Sequence, residues 1–185
     1  MTTTLKQRCT ASLTAFLLSG IAGLVPSLKA GEESESVSKL LAEAKRQSYA
    51  VSVDASTLES YTRQPSLSWQ SHAAEINRMK DDITAAGKTL AALNAAKGQA
   101  AAWQATAIDR IIPYMREIAD DTTNAIEYLN KNQSRPLTMG DYKDFIEANS
   151  DTSRELASLI ANFVDYGNHK SRYEGLKKSL ELPAK

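Results

Sequence analysis

The chain has 185 residues, of which 42% are hydrophobic and 24% charged, a composition that fits one globular domain and excludes a disordered tail. Its 22 basic and 22 acidic residues cancel, so the dense basic footprint that nucleic acid requires is absent.

Residues 1–30 begin with Lys6 and Arg8, continue as an apolar run from 11 to 25, and reach a small residue at Ala30. That is the order of a secretory signal peptide, with cleavage expected after Ala30 or, as a second choice, after Ser27. A membrane anchor is the alternative. The run is too short for it and contains Ser12, Thr14 and Ser19, whereas a bilayer demands roughly 20 apolar residues. Removing Lys6, Arg8 and Lys29 from the 22 basic residues leaves 19 against 22 acidic ones, so a periplasmic or secreted product of net charge −3 is expected. Cys9 is the only cysteine and lies inside this leader, so residues 31–185 can hold no disulfide, thiolate metal site or cysteine nucleophile. Stability must come from the core, which a domain near 150 residues can supply by burying roughly 70% of its extended surface.

The spacing then predicts four helices. The first spans about 36–61, with Val37, Leu41, Ala44, Ser48, Val51, Ala55 and Leu58 at steps of three and four, and Pro65 closes off its end. Ser66 or Ser68 caps the second, whose stripe is Trp69, His72, Ala73, Ile76, Met79, Ile83, Ala86, Leu90 and Leu93. Gly98 is read as a left-handed residue closing a hairpin, in preference to one helix from 67 to 130 that would be roughly 95 Å long and lack partners on its flanks. The third helix, about 100–130, carries two adjacent stripes and an internal proline, Pro113.

A loop ending at Pro136 leads to the fourth and longest helix, 138–182, with Thr138 and Asp141 as a capping box. Tyr142, Phe145, Asn149, Thr152, Leu156, Leu159, Phe163, Tyr166, Lys170 and Tyr173 form its expected core stripe. The resulting fold class is all-α, an up-down-up-down four-helix bundle with a long C-terminal helix. No segment after the leader is apolar enough to span a membrane.

Bundles build sites from polar residues on inward faces. Antiparallel pairing puts Asp54 or Ser52, Glu75, Asp121 and Asn149 near one level, with His72 one turn away. His72, Glu75 and Asp121 are therefore the candidate metal ligands, weighed against a hydrated polar layer that fixes register. The chain offers a single His-x-x-Glu where di-iron bundles use two Glu-x-x-His copies. Haem on one histidine with Met79 or Met115 is disfavoured, because no run of small residues makes room for a porphyrin, and His169 falls at the far end from His72. No cofactor is expected, and no phosphate loop or catalytic triad ordering is present. The signal and the alanine-rich helices fit a bacterial protein, in which the sequon Asn132-Gln133-Ser134 is chance.

The aromatic residues read mainly as core filling. Should the last helix outrun its neighbours, Tyr173, Leu176 and Leu180 become candidate contacts for another protein or a hydrophobic ligand. Through Ser68-Trp69-Gln70-Ser71-His72-Ala73, Ala107-Ile108-Asp109-Arg110-Ile111 and Phe163-Val164-Asp165-Tyr166-Gly167 the chain resembles a group of exported helical proteins of acidobacterial-type bacteria. That resemblance implies an exported helical bundle and assigns no activity and no functional residue. The expected role is a non-enzymatic binding or structural module, with a metal- or small-ligand-binding bundle as the alternative.

Overall fold

A computed structural model of the chain describes residues 33–133 and 137–181. The expected leader at 1–30 and the end of the expected fourth helix at Leu182 lie outside the described residues. Four helices pack as a bundle: α1 (Glu35–Tyr61), α2 (Trp69–Ala96), α3 (Ala102–Lys131) and α4 (Asp141–Ser179). Each helix touches two neighbours in a closed ring, α1 against α2 and α4, and α3 against α2 and α4. No described helix is long and apolar enough to cross a membrane.

The first helix follows its periodicity. Val37, Leu41, Ala44, Ser48, Val51, Ala55 and Leu58 are all buried, so an unbroken three-four phase does mark the face that meets α2 and α4. In α2, Ser68 caps the helix by accepting from the Ser71 N–H at 3.3 Å, as its residue type favours. Between α2 and α3 the chain turns rather than continuing as one helix. The turn differs from the expected one: Lys97–Gln99 form a single 3-10 turn, and Ala100 and Ala101 are extended. Gly98 is not left-handed, because the two extended alanines do the redirecting instead. Helix α3 runs through Pro113 without ending.

The start of the last helix also departs from the sequence reading. Thr138 and Asp141 make no capping box; the N-cap is Gly140, at φ 70° and ψ −165°. Backbone of that kind is open to glycine almost alone, because a Cβ collides with the chain. Asp141 and Asp144 then sit in the first turn and Lys177 and Lys178 in the last, both favourable to the helix dipole.

The core stripe of α4 differs as well. Its buried positions are Tyr142, Ile146, Asn149, Ser150, Ser153, Leu156, Ile160 and Gly167, which keep a three-four spacing as far as Ile160 and resume two turns later at the glycine. Leu159 and Phe163 are only partly buried, while Tyr166 and Tyr173 are exposed. Of the ten residues of the expected stripe only Tyr142, Asn149 and Leu156 are buried, and the other seven lie beside the core rather than in it. Gly167 packs against the Trp103 ring of α3: a Cβ there would stand 2.7 Å from Trp103 Cη2, too near for any real contact.

One buried amide binds the starts of α1 and α3. Gln104 is fully buried, and its Oε1 accepts from the Ser34 N–H at 3.1 Å and the Ala101 N–H at 2.9 Å. Its Nε2 donates to the Ser34 carbonyl at 3.0 Å and to Ser38 Oγ at 2.9 Å. Neither Ser34 nor Ala101 caps its helix with its own side chain, so this amide supplies what two caps would.

Two stability measurements follow. Gln104→Leu keeps the volume but strands buried N–H groups, and chemical denaturation is expected to show a loss of roughly 2–4 kcal/mol. Gly140→Ala is expected to cost about 1–3 kcal/mol through backbone strain alone, with no change in helix content by circular dichroism.

Candidate functional site

Polar groups cluster at three levels of the bundle. At one end the close of α1, the start of α2, the close of α3 and the start of α4 meet. His72 is 1% exposed, and its Nδ1 lies 2.9 Å from the Tyr142 hydroxyl. Tyr61 meets the His72 ring edge-on, with centroids 5.7 Å apart, and Tyr142 does so at 5.5 Å. Tyr128 tilts against Tyr142 at 5.9 Å. With its proton on Nε2, the imidazole accepts from the tyrosine hydroxyl, which satisfies two buried polar atoms with one bond. Burial lowers the His72 pKa and raises that of Tyr142, so both are held neutral.

About one turn along α2, Arg78 bridges two carboxylates. It donates from Nε to Asp54 Oδ1 at 3.1 Å and from an Nη to Glu75 Oε1 at 2.5 Å. The Asp54 pKa is raised, because burial disfavours its charge and Glu75 and Asp82 add repulsion that Arg78 offsets only in part. Further in, Asn149 of α4 donates to the Ile118 carbonyl at 3.1 Å and to Thr122 Oγ1 at 2.7 Å, and its own oxygen accepts from Ser153 at 3.3 Å. This is a buried polar layer between α3 and α4 of the register-fixing kind.

The structure does not bring His72, Glu75 and Asp121 together. The first is bound to Tyr142 and the second to Arg78. Asp121 is half-buried on α3, its pKa raised by burial and by the neighbouring Glu117 and Asp120 carboxylates. Among the described residues no three His, Cys, Asp or Glu side chains stand where they could share one ion. The level drawn through Asp54, Glu75, Asp121 and Asn149 thus divides into an Arg78 cluster between α1 and α2 and an Asn149 cluster between α3 and α4. Arg78 was the missing signal: it lies three residues after Glu75, on the same helical face.

At the opposite end a cavity of about 330 Å³ opens between the start of α1, Trp103 and α4, with Glu33, Ser38, Gly167 and Ser171 among its walls. Glu33 is engaged there, accepting from Ser38 at 2.9 Å and from Ser171 at 3.3 Å. The Trp103 indole N–H is buried without a partner, and its ring meets Tyr166 edge-on at 5.3 Å.

Beyond this level α4 has no neighbouring helix among the described residues. Tyr173, Leu176 and Leu180 are 64%, 54% and 65% exposed. Toward the bundle, the same side of α4 lines a groove of about 300 Å³ with α3, formed by Arg110, Leu159, Asn162, Phe163 and Tyr166. Sequence reasoning missed this groove, having placed Leu159, Phe163 and Tyr166 in the core.

The buried imidazole makes stability depend on pH. Its pKa is lowered in the folded state relative to 6.5, so the contribution is complete above that value and is lost as pH falls through the window below it, where only the unfolded chain takes the proton. Urea unfolding at pH 8 and pH 5.5 is expected to show a drop for the native protein that shrinks in His72→Gln, which keeps a hydrogen-bonding group but does not titrate. Equal drops in both would show that His72 is not the group responsible.

No protein-family model matches the chain, nor does any curated protein or solved structure.

Proposed function

We propose that the chain is an exported, non-enzymatic binding module, in which a bundle of helices alternating in direction holds the end of α4 out as its contact surface. The observation that carries this reading is the exposure of Tyr173, Leu176 and Leu180 on a helix of 39 residues, where α1, α2 and α3 have 27, 28 and 30. Soluble proteins seldom leave several large apolar side chains together in water unless something covers them. They lie beyond the last level at which α4 packs on another helix, so they contribute little to the bundle itself.

The interior supports the same reading from the other side. His72, Glu75, Asp54, Gln104 and Asn149 each have a protein partner, and those bonds would have to break before the groups could serve a ligand. Export rests on the leader at 1–30, and the mass of the protein recovered from its host would show a chain beginning at Gly31 or Leu28 if that leader is removed.

A photoreactive amino acid placed at Tyr173 tests the contact surface inside the host. Irradiation is expected to yield a discrete cross-linked species from that position and none from Lys88, an exposed residue of α2. Absence of any adduct at Tyr173 would remove the proposal. Exposed substitutions such as Tyr173→Ser should shift stability by no more than about 0.5 kcal/mol, so loss of the contact would not be loss of the fold.

A further inference from the structure

We propose that the cavity at the start of α1 binds a small organic cation, an ammonium ion carrying an apolar group, with the Glu33 carboxylate as its counter-ion and Trp103 as part of its wall. The site lies apart from Tyr173, Leu176 and Leu180, so it stands or falls independently of the contact surface.

Glu33 is half-buried and fixed from two helices. Its Oε1 accepts from Ser38 of α1 at 2.9 Å, and its Oε2 accepts from Ser171 of α4 at 3.3 Å. The Ser38 oxygen in turn accepts from Gln104 Nε2 at 2.9 Å, which commits the serine proton to Glu33. Hydroxyl donors orient a carboxylate without neutralising it, and each of its oxygens keeps a further lone pair. Among the described residues no basic side chain pairs with Glu33: Lys39 goes to Glu35 and Lys45 to Asp165. The result is a fixed, uncompensated negative charge at a cavity of about 330 Å³.

The other walls set the class of ligand. Ala42, Val164 and Trp103 offer apolar surface, and Tyr166 backs the indole edge-on at 5.3 Å. A cavity with apolar walls and a few polar groups held in place suits a small organic molecule. An inorganic cation gains nothing from such walls, and no three His, Cys, Asp or Glu side chains among the described residues stand where they could share one ion. An anion would meet the Glu33 and Glu35 carboxylates. An alkyl- or arylammonium ion uses both halves of the site. Its head bonds Glu33, and its body covers the apolar wall, where an aromatic ring also attracts a cation. Gly167 keeps that space open: a Cβ there would stand 2.7 Å from Trp103 Cη2 and 3.6 Å from Glu33 Oε1, so the glycine lets both groups line one cavity.

Calorimetric titration of the protein as recovered from its host tests the site, with phenethylammonium as the probe and phenethyl alcohol as its neutral counterpart of similar shape. The ammonium ion is expected to bind about tenfold tighter than the alcohol. Glu33→Gln keeps an acceptor for Ser38 but removes the charge, so it should weaken the ammonium ion about tenfold and leave the alcohol unchanged. An affinity for the ammonium ion no greater than for the alcohol would overturn the proposal, as would no heat from either probe up to its solubility limit. Ammonium binding indifferent to Glu33→Gln would overturn it too. The comparison of the two probes is made on the unaltered protein, so it decides the matter even where the variant loses its fold.

Discussion

The bundle depends on two diagonal polar ties, one at each end. Helices lined with Leu, Ile and Ala can slide past one another by a turn and still bury apolar surface, so the hydrophobic effect alone leaves their axial register loosely specified. Gln104 joins the start of α3 to the start of α1, and the His72–Tyr142 pair joins α2 to α4. Each tie links helices that are opposite in the ring, where they share few apolar contacts. Shifting any helix by a turn would break one of them and strand buried donors, at a cost of about 1–3 kcal/mol for each. Asn149 adds a third pin midway, between adjacent helices.

These pins explain why polar residues on inward faces are poor evidence for a ligand in this fold. A buried imidazole beside carboxylates in sequence suggests a metal, but burial first demands that each group find a hydrogen-bond partner. Here each demand is met locally: a tyrosine for the histidine, one arginine for two carboxylates, and a threonine and a carbonyl for the asparagine.

Legibility in the sequence followed from how each position is determined. The seven stripe positions of α1 were readable because no second apolar phase competes with the buried one along that helix. The fourth helix was harder, because it carries two phases that share Tyr142, Asn149 and Leu156 and then diverge. The buried branch passes through Ser153 and Gly167, which hydropathy discounts; the outer branch passes through Leu159, Tyr166 and Tyr173, which hydropathy favours. Gln104 was invisible for a different reason. Its partners at Ser34 and Ser38 lie 70 and 66 residues away in the chain, and no local pattern encodes a contact of that range. Thr138 misled as a cap because residue type at an N-cap is a preference, whereas the backbone at Gly140 is a steric requirement.

The two branches of α4 have a common origin. Close packing against Trp103 requires a residue without a Cβ at 167, and small residues at 150 and 153 let α4 lie near its neighbours lower down. At those three positions large side chains are excluded from the inward face, and others that α4 carries stand to one side, at Leu159, Tyr166 and Tyr173. In this chain that side runs on to the end of α4, where Tyr173, Leu176 and Leu180 stand exposed.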